Sequence, residues 1–265
     1  MSDREFVTAA TWPAQHRAAL VVVVHIDAPD PRVTRDEGFA LGLDYAVTGL
    51  PRLLRICGDL GIEATTAWTI QALATHPQMA RAAHEHGHEL SLSTASLPSG
   101  KAPVSPSDVL LKITGTAAAG HVESLTPGTP ETVEPRLGVQ RLDPVPPWII
   151  TGAGGDIPVI AAGRDSGETS VMIPVSPYWI DASWFHPRHP APPSSLLEAW
   201  SAGIATVRAE GGLMTIVLHP HIAGRPGFAD SILRFLDEAI ASGDVWIARA
   251  DHLALWWKAN AEQQS

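Results

Sequence analysis

Ala18-Ala19-Leu20-Val21-Val22-Val23-Val24, running straight into His25-Ile26-Asp27, is the stretch that decides the fold. An unbroken apolar run rich in valine has no polar face to turn toward water. It reads as a strand buried on both faces, as in a parallel sheet covered by helices. Pro29 stops it. Side chains alternate along a strand, so His25 and Asp27 face the same way. Parallel α/β sheets and barrels gather their chemistry at the carboxyl ends of the strands, which is where this pair stands.

The pattern outward from this strand alternates. Residues 48–60 place Leu50, Leu53, Leu54, Ile56 and Leu60 at helical spacing, with Pro51 in the first turn and Gly61 at the stop. Residues 64–70 read as the next strand, 77–86 as a short helix closed by Gly87, and 89–94 as a third strand. Such alternation indicates a parallel sheet, closed or nearly closed. Residues 98–156 are rich in Pro, Gly, Ser and Thr, with one helix expected at 108–118. Short strands are expected at 157–161 and 170–175. The regular pattern then returns: helix 194–208, strand 213–218 ending in His219-Pro220-His221, helix 229–241 before Gly243, strand 245–248 and helix 251–259. The expected class is a single α/β barrel domain over residues 1–265, with 98–156 its divergent part.

Composition narrows the partners. The 265 residues are 45% hydrophobic, enough for a sizeable core, and carry a net charge of -10 from 28 acidic and 18 basic residues. No stretch gathers the Lys and Arg needed to neutralise phosphates, which excludes nucleic acid and anionic membrane as expected partners. The longest apolar run, 18–24, is far too short to span a bilayer. A lone cysteine, Cys57, rules out an internal disulfide and reads as a small buried helix residue. The start, Met-Ser-Asp-Arg-Glu-Phe, lacks the basic-then-apolar layout of a signal peptide, so a cytoplasmic location is expected.

Several residues at strand ends carry donor atoms. His25 beside Asp27 is an imidazole that a carboxylate can tune to move protons near neutral pH, or a hydrogen-bonded relic. His219 is a candidate acid or a donor to a substrate carbonyl, and His221 a weaker candidate that also suits a structural strand end. Ser93 and Thr94 close the third strand, with no base adjacent in sequence. Tyr178, Trp179, Asp181, Trp184 and Phe185 form an aromatic loop suited to a flat or apolar ligand, or simply to rim packing. His88 and Glu89 read as structural. His76, His84, His86, His186, His189, Asp36 and Glu37 read as surface.

The ordered set of these pieces resembles the NodB-homology polysaccharide deacetylase family, and within it the branch of allantoinase-like and cyclic-imide-hydrolase-like proteins. The pieces are Thr11-Trp12-Pro13, the first strand with its Asp27 turn, residues 49–54 and 61–65, and His76-Pro77. They continue with residues 87–90, the aromatic loop from Trp179, and residues 218–227. The resemblance implies a distorted (β/α)7-type barrel. It also implies a divalent metal held by one Asp and two His, a preceding Asp as general base, and a late-strand His as acid. On that pattern Asp27 occupies the ligand position, His25 stands where the base would be, and the two metal histidines fall on Ser93 and Leu97. His219 keeps the acid position. The family's Arg-containing loop has no counterpart near 121–127. Homo-oligomers are implied by the resemblance alone.

The expectation that follows is a repurposed, metal-independent enzyme of small-molecule metabolism, descended from hydrolases of carbon–nitrogen bonds. Its catalytic set would be His25, Asp27 and His219, and its substrate-binding set Ser93, Tyr178, Trp179, Asp181, Trp184 and His221. No cofactor is expected; a divalent metal held through Asp27 is the alternative, weakened because the first and penultimate strands are not expected to gather His25, Asp27, His219 and His221 around one ion. Two other readings stand beside it: a non-catalytic descendant that binds a ligand or a partner subunit, and a metal-dependent hydrolase of amide or cyclic-imide bonds with a rebuilt site.

Overall fold

A computed structural model describes residues 10, 12–28, 45–93, 106–123, 145–152, 155–162, 167–184 and 191–260. Nine strands and seven helices lie among them. The strands are β1 (Ala18–Ile26), β2 (Thr65–Trp68), β3 (Glu89–Ser93), β4 (His121–Val122), β5 (Trp148–Thr151), β6 (Val159–Ala162), β7 (Thr169–Pro174), β8 (Leu213–Leu218) and β9 (Val245–Ala248). The helices are α1 (Ala46–Asp59), α2 (Ile70–Thr75), α3 (Pro77–Glu85), α4 (Pro106–Thr114), α5 (Pro193–Glu210), α6 (Pro226–Ala241) and α7 (Ala250–Ala259).

The sheet runs β6-β7-β5-β4-β3-β2-β1-β8. Its pairings are parallel except β6 on β7, which is antiparallel. β8 flanks β1 from Ala19 to Val24. On the opposite edge β9 takes Ala18 to Val21 and β2 takes Val23 to Ile26, so two short strands share one edge in succession. Among the described residues the far edge of β8 meets no full strand. A single parallel bridge between Val217 and Ile180 joins it to the chain that follows β7. The ring is thus shut by one residue of an irregular segment, which is the distortion of this (β/α)7-type barrel.

Strand parity sorts the side chains. Leu20, Val22, Val24 and Ile26 of β1 face outward with Leu90, Leu92, Ile216 and Leu218, under α1, α5 and α6. Val21 and Val23 face inward with Ala67, Val122, Ile150, Ile173 and Val217, and α7 and Trp12 close the bottom. Burying one such Val, Leu or Ile is worth about 1.5–3 kcal/mol, so a strand apolar on both faces is strongly driven into this position. Inward parity continues to His25 on β1, Asp27 just past its end, Ser93 on β3 and His219 after β8. All four therefore reach the carboxyl-terminal mouth.

Four departures from the expected elements have physical causes. The strand expected over 64–70 ends at Trp68, because Thr69 caps α2 by accepting a hydrogen bond from the Ala72 amide. β4 and β5 are short strands inside a stretch whose Pro and Gly content masks them. The helix expected over 108–118 is displaced to Pro106–Thr114, with Gly115 following at positive φ. α6 begins earlier than expected, with Pro226 in its first turn. No helix among the described residues is long and apolar enough to cross a membrane.

Candidate functional site

The site is built by three strand ends and one irregular segment. β1 supplies His25 and, just past its end, Asp27; β3 supplies Ser93; β8 leads into His219 and His221. After β7 the chain makes two 3-10 turns, Pro177–Trp179 and Asp181–Ser183, with Ile180 between them. Ile180 bridges to Val217, and this register brings Asp181 to His219.

His219 is held twice by one carboxylate. Its backbone amide donates to Asp181 Oδ2 at 2.7 Å, and its Nδ1 lies 2.6 Å from Oδ1. Asp181 is wholly buried. Burial alone disfavours a charged imidazole here, but the Asp181 charge, its hydrogen bond and the charge of Asp27 outweigh it and raise the His219 pKa. With Nδ1 engaged, Nε2 is the nitrogen left for chemistry.

His25 is held differently. Its Nε2 lies 2.7 Å from Ser93 Oγ, and its Nδ1 lies 3.2 Å from Asp27 Oδ2. That Asp27 oxygen sits off the line along which the ring would donate. Nδ1 is consequently buried without a directed hydrogen bond among the described residues. Burial pushes the Asp27 carboxyl up, but His25, then His219 and His221, outweigh this and bring it down to about 2. The His25 and His219 rings meet edge to face at 5.1 Å, and His221 lies 5.7 Å beyond His219. Burial and the neighbouring His219 charge lower the His221 pKa to about 4, Arg225 adding to the effect and Asp181 and Asp27 opposing it. His221 is therefore a neutral imidazole near pH 7.

The His219-Pro220-His221 turn is fixed by close backbone packing. A Cβ on Gly49 of α1 would lie 1.9 Å from the Pro220 carbonyl oxygen, and one on Gly224 would lie 2.4 Å from Gly49 Cα. Arg52 bonds the Gly224 carbonyl and the Tyr45 hydroxyl, while Arg225 lies 4.6 Å over the Tyr45 ring. The sequence stretches around 49–54 and 218–227 are thus two sides of one seam.

Two expectations about the site change. Ser93 does have a base beside it, His25, brought from 68 residues away by the β1-β2-β3 order. And the strand ends do gather three of the four donors: one atom each from His25, Asp27 and His219 lies within 4.8 Å of the others, because β1 pairs directly with β8, while His221 is not in the set. This set fits a divalent cation. The buried Nδ1 of His25 has no directed partner, and the other ring nitrogens of both histidines are oriented by Ser93 and Asp181, as metal-bound imidazoles require. It differs from the ligand set implied by the resemblance, in which Ser93 and Leu97 would be histidines; Leu97 lies outside the described residues.

The aromatic loop divides. Trp179 is half-buried and packs on α5, where a Cβ on Gly203 would meet its ring at 2.2 Å. Trp184 and Trp200 both donate from Nε1 to the Tyr178 carbonyl at 3.0 Å, which pins the loop. Tyr178 is 71% exposed. Asp181, expected to touch substrate, instead spends both oxygens on His219. Its partnership across 38 residues is the feature that sequence reasoning missed, and no local signal announces it. Pro29, Asp36, Glu37, Thr94, Phe185, His186 and His189 lie outside the described residues. His88 is structural as expected, its Nδ1 accepting the Ala64 amide.

No protein-family model matches the chain, and no curated protein matches it by sequence. Solved structures do. A protein assigned as a polysaccharide deacetylase from Mycobacterium smegmatis superposes with a TM-score of 0.81 at 23% identity, covering 97% of this chain and 95% of that one. The Puue allantoinase gives 0.80 at 18%, covering 98% of each chain. A protein assigned as a polysaccharide deacetylase from Pseudomonas aeruginosa PAO1 gives 0.79 at 17%, covering 100% of each. The chain therefore has the fold that these polysaccharide deacetylases and allantoinase share.

Proposed function

We propose that the chain is a metal-independent enzyme that cleaves a C–N bond of amide or cyclic-imide type in a small molecule by histidine–carboxylate acid–base chemistry. The observation that carries this reading is the pair of histidines facing each other at 5.1 Å, each with its own carboxylate. Sharing a fold with polysaccharide deacetylases and an allantoinase supports the bond class.

The two pairs suit different tasks. Asp181 stabilises the charged form of His219 and leaves its Nε2–H free to donate to a carbonyl oxygen or a departing nitrogen. His25, beside the Asp27 carboxylate, is suited to accept a proton from an attacking group. Both rings are buried at strand ends and held by hydrogen bonds with Ser93 and Asp181, so they keep their geometry without reorganising as charge develops. The exposed Tyr178 ring offers a face on which a flat substrate can rest.

The test uses the purified full chain, treated with a chelator and dialysed. It is screened against N-acyl amines, cyclic imides and ureides, following amine release or ring opening. Turnover should survive chelation, and His25→Ala and His219→Ala should each lower kcat/KM by about 100-fold or more. Unchanged kcat/KM in both variants overturns the reading.

The donor cluster favours a second reading. His25, Asp27 and His219 would hold a divalent cation, with Ser93 and Asp181 orienting the two rings. A cation bound there supplies Lewis-acid polarisation of a carbonyl oxygen. Elemental analysis of protein purified without chelator separates the two. One transition metal per chain, whose removal abolishes turnover, selects the second reading.

A further inference from the structure

We propose that Ser93 is the nucleophile of this site, activated by His25 and Asp27, and that cleavage proceeds through an acyl-serine intermediate. This rests on the acid–base reading above and goes beyond it by naming the attacking atom.

The geometry joins three groups in succession. Ser93 Oγ lies 2.7 Å from His25 Nε2, and the other ring nitrogen lies 3.2 Å from Asp27 Oδ2. Nucleophilic serine sites are recognised by this connectivity rather than by chain order. The tautomer decides the direction of the Ser93 bond. With the proton on Nε2, the bare Nδ1 lone pair would face a carboxylate oxygen, two electron-rich groups in a buried place. With the proton on Nδ1, that repulsion becomes attraction, and Nε2 becomes the acceptor of the Ser93 hydroxyl. Asp27 keeps 28% of its side chain exposed, so its carboxylate can turn into line with the Nδ1–H. Across the mouth, His219 presents Nε2 while Asp181 fixes its Nδ1.

The steps balance without any other reactant than water. Oγ forms a bond to the carbonyl carbon as its proton passes to His25 Nε2, and the carbonyl electron pair moves to oxygen. The pair returns, the C–N bond breaks, and the leaving nitrogen takes the proton from His25. Water then adds to the acyl carbon, giving a proton to His25 Nε2. The C–Oγ bond breaks and Oγ recovers that proton. The products are a carboxylic acid and an amine, or a ring-opened acid amide from a cyclic imide.

A fluorophosphonate probe tests the proposal without a known substrate, because serine displaces fluoride at phosphorus and leaves a stable mass adduct. The full chain should take up one probe, mapped to Ser93 by peptide mass spectrometry, with or without chelator. Ser93→Ala should abolish the adduct, and His25→Ala should slow its formation by about 100-fold. Circular dichroism checks that Ser93→Ala folds; should it not, Ser93→Cys takes its place, and iodoacetamide should alkylate that thiol in a His25-dependent manner. No adduct, an adduct elsewhere, or alkylation of Ser93→Cys indifferent to His25→Ala overturns the proposal. Failure of the two ideas is distinguishable on the amide and imide panel. A Ser93→Ala variant with unchanged turnover, beside a His219→Ala variant that has lost it, removes the nucleophile and leaves the acid–base reading standing.

Discussion

Replacing Asp181 by Asn removes one charge from the buried pair and leaves its shape intact. In the native protein the carboxylate accepts from the His219 amide at 2.7 Å and from its ring at 2.6 Å. The Asn carbonyl can still accept the backbone amide. Its NH2 group then faces Nδ1, which must become a neutral acceptor. A charge-assisted bond worth about 1.5–3 kcal/mol is exchanged for a neutral one worth about 0.5–1.5, so the expected loss is roughly 1–2 kcal/mol. The pH dependence has a definite sign. The folded-state pKa of His219 is raised above its ordinary 6.5, so its stabilisation is fully present below that value and lost as pH rises through the folded one. Asp181→Asn should therefore cost most near pH 6 and progressively less toward pH 9. Urea unfolding at both pH values measures the difference, and proton NMR of the His219 ring should show its titration moved to lower pH. Equal cost at both pH values, with an unmoved titration, would refute the argument that Asp181 holds the charge on His219.

Three further outcomes are expected. Gly49→Ala would drive a methyl group to 1.9 Å from the Pro220 carbonyl oxygen, so it should lower stability by about 1–3 kcal/mol or more, seen in urea unfolding, and disturb the His219 NMR signals. Glu89 lies buried beneath the barrel; burial, then Asp251, raise its pKa to about 8, against the hydrogen bonds from Thr65 and the Asp251 amide and the charge of Arg249. Its contribution is present below pH 4.5 and lost as pH rises through about 8, so Glu89→Gln should match or fall below the native protein at pH 5 and exceed it at pH 9 in urea midpoint. Cys57 is buried and burial pushes its thiol up to about 12, so a disulfide-exchange reagent at pH 8 should label it only when the chain unfolds.

Much of the barrel was legible because its signals are local. The β-branched run of β1 and the helical spacing of α1 each speak for themselves, and period-two alternation alone places His25 and Asp27 on one face. The strand misread across Ile70 shows where local reading breaks: 64–70 are mostly apolar or β-branched, and one capping hydroxyl at Thr69 outweighed them. The site was legible as a set of residues and illegible as a set of partnerships. Ser93 with His25 and Asp181 with His219 are made by strand order and by a one-residue bridge, and neither leaves a mark in neighbouring sequence.

That one-residue bridge reaches beyond architecture. Ile180 shuts the ring against Val217, and the very next residue is the carboxylate on His219. The closure of the ring and the proton are thus mechanically joined. A breath of the barrel wide enough to part Ile180 from Val217 also withdraws the counter-charge that favours the charged form of His219. The titration of a single imidazole is then a gauge of whether the whole ring is closed.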